Sequence, residues 1–163
     1  MTSYEVIYEM FFRRVEKDKK FFSYVGLTDA QAMQLARERA NGYFEEALAV
    51  LTMKGRPSVD FTDRDRAAAQ FNFDLTAQEK YIVSSLMYQQ YLERDIAYLK
   101  TLSVNYTSTD LRVFDPSNAR STFMTMFNAI KGECEEMLDI YRNTDRTSGD
   151  FIGIDFESYD TEE

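Results

Sequence analysis

The chain has 163 residues, the usual size of one domain that can bury its own core. Its residues are 44% hydrophobic and 29% charged, which excludes wholesale disorder, and a formal net charge of −9 argues against tight binding to nucleic-acid phosphates. It contains no histidine, which excludes the usual hydrolase triads and most zinc and non-haem iron sites.

The first predicted helix begins at Thr2, where Glu5 stands three residues later in the position that completes a capping box. Apolar residues then recur at helical spacing as far as Val15. An apolar hinge rich in aromatic residues follows at 21–25, and two interpretations of it stay open. It either closes the end of the core or forms an exposed docking patch.

A second predicted helix begins at Thr28, with Gln31 in the reciprocal capping position, and ends at Gly55 and Pro57. Its apolar stripe consists of Met33, Ala36, Ala40, Tyr43, Phe44, Ala47, Leu48 and Leu51. Residues 58–74 are irregular. In that segment, residues 67–69 suit a short helical turn and residues 70–74 alternate as in a short strand.

The third predicted helix begins at Thr76, again with a glutamate, Glu79, three residues later, and keeps its period for about 26 residues. Residues 103–115 are predicted to form a loop that either makes a short hairpin or covers the core. Asp115 and Pro116 then begin a fourth helix that ends near Asn143. The pattern predicts an all-α fold, a helical bundle of four main helices in residues 1–143.

Residues 144–163 are predicted to form an extended acidic arm, which we call the C-terminal arm. It holds seven acids against one base, Arg146, and so carries −6 of the net charge. Its apolar side chains either fold back onto the bundle or add to a neighbouring subunit or partner. The second interpretation predicts these partner-binding residues: Phe151, Ile152, Ile154, Phe156 and Tyr159.

No group of residues in the sequence predicts catalysis. Glu133 and Glu136 share a helix face, but a di-iron site of this type also needs histidines. Cys134 lies between Glu133 and Glu135, whose charges would raise the pKa of its thiol, so we expect a buried structural cysteine. We therefore expect no catalytic residue, no cofactor and no metal, and a protein that acts by binding other proteins.

The sequence also predicts the compartment in which the chain is found. No run approaches the roughly 18 apolar residues that a membrane span needs, so we expect no membrane partner. The single cysteine cannot form an internal disulfide, which is typical of a reducing compartment such as the cytoplasm.

Three short segments resemble a known family. Residues 71–80 read FNFDLTAQEK and lead into a helix containing Leu86 and Met87, residues 115–119 read DPSNA before another long helix, and residues 141–143 read YRN at its end. This pattern resembles the head–tail connector (adaptor or neck) proteins of tailed bacteriophages.

The resemblance implies a virion subunit, assembled in the host cytoplasm, that forms a homo-oligomeric ring under the portal protein and links capsid to tail. It also implies contacts with portal and tail or neck proteins and a passing, non-specific contact with DNA in the channel. Two alternatives stay open. One is a neck, tail-completion or assembly-chaperone protein, and the other is an acidic regulatory binding protein.

Overall fold

The computed structural model describes residues 1–16, 19–22, 24–105 and 116–152. Within these ranges the chain is mostly helical, which confirms the predicted all-α fold. The helices are α1 (Tyr4–Val15), α2 (Lys19–Phe22), α3 (Asp29–Val50), α4 (Ala77–Asn105) and α5 (Pro116–Arg142). A π-helical turn, Leu51–Gly55, follows α3, and two short antiparallel strands, β1 (Arg64–Asp65) and β2 (Gln70–Phe71), precede α4.

Helix α4 lies at the centre of the fold and packs against α1, α3 and α5. Helix α5 runs antiparallel to α4. This direction is shown by Tyr141, near the end of α5, which donates a hydrogen bond to Glu79 at the start of α4. Helix α5 also packs on the π-turn. At this contact, a Cβ atom on the buried Gly55 would lie 3.2 Å from Tyr141 Cδ1, so a larger residue would have to displace the Tyr141 ring.

The core is rich in aromatic rings from several elements. Phe44 of α3 lies 4.7 Å from Tyr4 of α1 and 5.9 Å from Phe71 of β2, measured between ring centroids. Phe11 of α1 lies 5.6 Å from Phe21 of α2. Such pairs are each worth about 0.5–1.5 kcal/mol beyond the area they bury, so they help to join α1, α3 and the strands into one core.

Local sequence signals correctly predicted the starts of α3 and α4. Thr28 and Gln31 form the reciprocal capping box at α3. At α4, the Thr76 hydroxyl accepts a hydrogen bond from Glu79 N, and the Glu79 carboxylate accepts one from Thr76 N. Each pair satisfies helix N–H groups that have no intrahelical partner.

The predicted start of the first helix was wrong by one residue. The N-cap of α1 is Ser3, whose hydroxyl accepts from Glu5 N. The Thr2 hydroxyl instead accepts from Leu75 N at 2.9 Å, and the Thr2 backbone exchanges hydrogen bonds with Phe71 and Phe73. Thr2 is drawn away from the cap because it pairs with the chain beside β2, where it is buried.

Other details of the prediction are refined in the same way. Ala32 rather than Met33 begins the buried stripe of α3, since Met33 is exposed. In the hinge, Phe21 is buried in the core, whereas Val25 is fully exposed. Helix α4 extends to Asn105, three residues into the predicted loop, and the rest of that loop lies outside the described residues. None of the described helices is both long and apolar enough to cross a membrane.

Candidate interaction site at the C-terminal arm

The described part of the C-terminal arm, residues 144–152, begins with a tight turn directly after α5. Thr144 pairs with Phe151 in an antiparallel bridge, and Ile152 N donates to the carbonyl oxygen of Asn143 at 2.8 Å. Across the turn, Asp145 N donates to the carbonyl oxygen of Asp150 at 2.8 Å. The chain therefore reverses direction over residues 144–151.

Asp145 organises this turn through its side chain. Its carboxylate accepts hydrogen bonds from the backbone N–H groups of Ser148 and Thr147, both at 2.8 Å, and these bonds lower its pKa. Gly149 has a φ of +74°, a conformation that glycine adopts at little cost. The turn is thus held by hydrogen bonds within its own segment.

Arg146 ties the turn to the helical bundle. Its Nε donates to Glu79 Oε1 at 2.7 Å, and its Nη2 donates to Glu79 Oε2 at 3.0 Å. The guanidinium also lies 5.6 Å from the centroid of the Phe73 ring. A two-pronged bond of this kind fixes orientation as well as distance, so it sets the point at which the arm leaves the bundle.

Glu79 is 0% exposed and is the centre of this anchor. Burial by itself would raise the pKa of its carboxyl, but hydrogen bonds from Arg146, the Thr76 N–H and the Tyr141 hydroxyl outweigh that effect and lower it. The same carboxylate and burial raise the pKa of Tyr141. The ionised form of Glu79 is therefore stable inside the bundle.

Two of the predicted partner-binding residues lie just beyond the anchor. Phe151 is 76% exposed and Ile152 is 60% exposed, although both are large apolar side chains. The other three, Ile154, Phe156 and Tyr159, lie outside the described residues. The structure thus places two exposed apolar side chains, Phe151 and Ile152, a few residues after the Glu79–Arg146 anchor.

The Glu79–Arg146 anchor is the feature of this site that the sequence reasoning missed. Glu79 was predicted only as half of a capping box, and Arg146 was only counted as the one base of the C-terminal arm. One signal was available: Arg146 is the single base in an acidic segment. A single base among acids indicates that Arg146 pairs with a carboxylate, but it does not identify which carboxylate.

The side chains considered for chemistry lie elsewhere. Burial, together with the nearby Glu133 and Glu135 carboxylates, raises the pKa of Cys134 to about 11, which suits a buried structural cysteine. Glu133 and Glu136 are exposed on α5. In the part of the chain that the structure describes, no three Cys, Asp or Glu side chains are grouped to hold a metal ion.

Comparisons with protein families, with curated proteins and with solved structures found no match to this chain.

Proposed function

We propose that this protein is a structural virion subunit of a tailed bacteriophage, a head–tail connector that forms a ring under the portal protein. The observation that carries the proposal is the C-terminal arm, which presents exposed Phe151 and Ile152 beside a buried anchor. The kind of assembly is inferred from the resemblance of residues 71–80 and 115–119 to connector proteins.

The anchor supports a binding role for the arm. The Glu79–Arg146 pair already holds the turn in place, so the turn needs little further ordering when a partner arrives. Preorganisation of this kind lowers the entropic cost of association. The exposed pair Phe151 and Ile152 then supplies apolar area that only a partner can bury.

The charge distribution supports a place around a DNA channel. Residues 1–143 carry −3 of the net charge of −9, and the C-terminal arm carries the other −6. A body so close to neutral neutralises few DNA phosphates, and binding to DNA strengthens with the number neutralised. The proposed ring would make only passing, non-specific contact with DNA that moves through it.

The test of this function is co-purification with the portal protein encoded in the same genome. The substitutions F151S and I152S together should abolish co-purification without lowering the melting temperature, because both side chains are exposed. The matched control is V25S with M33S, which removes two exposed apolar side chains in the hinge and the first turns of α3. Portal binding by the arm variant at the level of the control would refute the proposal.

A further inference from the structure

The turn at the root of the C-terminal arm has a free strand edge. Thr144 and Phe151 lie opposite each other in an antiparallel bridge, and the hydrogen bonds of this bridge are made by the residues on either side of the pair. In a pair of this kind, the N–H and C=O groups of both residues point away from the opposite strand. Within the described residues, the Phe151 N–H donates no hydrogen bond and its C=O accepts none.

This edge is open to solvent and held in position. Asp150, Phe151 and Ile152 are all exposed. The Glu79–Arg146 anchor fixes the turn to the bundle a few residues earlier. An exposed strand with unpaired backbone groups is a template for pairing with another chain. The root of the arm therefore offers such a template at a defined place on the bundle surface.

The sequence after Phe151 alternates in polarity. Its apolar members are Ile152, Ile154 and Phe156, and the residues that separate or follow them are Gly153, Asp155 and Glu157. Alternation with a period of two is typical of a strand that buries one face. A helix has about 3.6 residues per turn, so it would place Ile154 on the face opposite Ile152 and Phe156. The pattern thus favours a strand over a helix.

We propose that residues 151–157 bind the portal protein by adding a strand to an open β-sheet edge that lies beside an apolar surface. The odd-numbered residues, beginning with Phe151, turn their N–H and C=O groups to that edge. The side chains of Ile152, Ile154 and Phe156 pack on the apolar surface. In this mode of recognition, main-chain hydrogen bonds supply affinity and alternate side chains supply specificity.

This inference rests on the proposed connector function and deepens it, because it names the kind of surface that the C-terminal arm meets on its partner. Charge selects against a second arm as that partner. Residues 153–163 contain five acids and no base. Two such segments paired edge to edge would bring like charges together, which destabilises cross-strand pairs. Charged side chains also prevent edge-to-edge pairing between copies, so the edge is left for a different protein.

The first experiment tests the apolar face of the strand. Full-length I154S and D155S variants are titrated against the portal protein encoded in the same genome. We expect I154S to weaken the affinity at least about tenfold, because it removes one of the three buried side chains, and D155S to change it less than about twofold. Unchanged affinity in I154S would overturn the proposal. A loss in D155S as large as that in I154S would also overturn it, because charge would then carry the binding.

A proline tests the backbone hydrogen bond. D155P removes the N–H group that residue 155 directs to the partner, whereas D155S keeps it. We expect D155P to bind at least about tenfold more weakly than D155S. The matched control is S158P, which places a proline just after the strand, where no N–H group is directed to the partner. It should bind as the unmodified chain does. Equal affinity of D155P and D155S would overturn the proposal.

Amide hydrogen exchange, resolved residue by residue, gives an independent readout on the unmodified chain. On portal binding, exchange should slow at the N–H groups of Phe151, Gly153 and Asp155. It should stay fast at Ile154 and Phe156, whose N–H groups point away from the partner edge. Uniform slowing across the segment, or no slowing at all, would contradict strand addition.

The two proposals fail in different ways. If the unmodified chain does not bind the portal protein, both the connector function and strand addition are refuted. If the unmodified chain binds and the variant with F151S and I152S does not, the connector function stands. Strand addition alone is then refuted when I154S and D155P bind as the unmodified chain does.

Discussion

A single carboxylate, that of Glu79, joins parts of the chain that are distant in sequence. It caps α4 through Thr76, binds Tyr141 at the end of α5, and holds Arg146 at the root of the C-terminal arm. Buried acids are expensive unless their oxygens are paired, and here both oxygens accept hydrogen bonds. The side chain is therefore central both to the stability of the bundle and to the position of the arm.

Substitution of Glu79 by glutamine should lower the free energy of unfolding by about 1.5–3 kcal/mol, because it removes the charge-assisted hydrogen bonds from the partly exposed Arg146. Urea denaturation measures this change. Glu136→Gln, an exposed acid on α5, is the control and should change the free energy by less than about 0.5 kcal/mol. Equal stability of the two variants would show that Glu79 does not anchor the arm.

The contribution of Glu79 should also depend on pH in a defined direction. The pKa of Glu79 in the folded chain lies below its ordinary value of 4.5, because hydrogen bonds to the carboxylate outweigh the effect of burial. A depressed pKa contributes stability above the unfolded value, and this contribution is lost as the pH falls through the folded value. The stability difference between wild type and Glu79→Gln should be constant from pH 7 to pH 5 and shrink below about pH 4. A difference that grows on acidification would contradict the ion pair.

At the scale of elements, the contact between the π-turn and α5 depends on the absence of a side chain at Gly55. An added Cβ would lie 2.8 Å from Leu51 Cδ1 and 3.2 Å from Tyr141 Cδ1. Tyr141 also bonds Glu79, so a displaced Tyr141 ring would disturb the anchor as well. The π-turn and the arm are therefore connected through the contacts that Tyr141 makes with Gly55 and Glu79.

Gly55→Ala should destabilise the protein by about 1–3 kcal/mol, as expected for overpacking in a dense contact. Gly132→Ala on α5 provides a control of opposite sign, because its Cβ would meet no atom within 4 Å. It should stabilise the helix by roughly 0.5–1 kcal/mol, since glycine costs a helix interior that much. Thermal unfolding of both variants checks this prediction, and stabilisation by Gly55→Ala would contradict the close contact.

The sequence predicted well the helix starts that depend on residues close together in the chain. Thr28 with Gln31 and Thr76 with Glu79 lie three residues apart, so their caps are visible in the sequence. The cap at α1 was misplaced because the partner of Thr2 is Leu75, 73 residues away. The Glu79–Arg146 pair spans 67 residues and could not be found from spacing at all.

At the scale of the whole molecule, the fold separates a core rich in aromatic rings from a few large apolar side chains that stay exposed. Phe11, Phe44 and Phe71 are buried, whereas Phe151 and Ile152 are exposed at the end of the chain that the structure describes. Composition predicted the helical class, and the acidic C-terminal segment predicted an arm.

The central claim is that this chain is a subunit of a closed ring. Light scattering across a concentration series measures its mass directly, for the chain alone and with the portal protein of the same genome. We predict a discrete high-order oligomer of this chain, either alone or on addition of portal protein. A monomer at every concentration in both conditions would contradict the account.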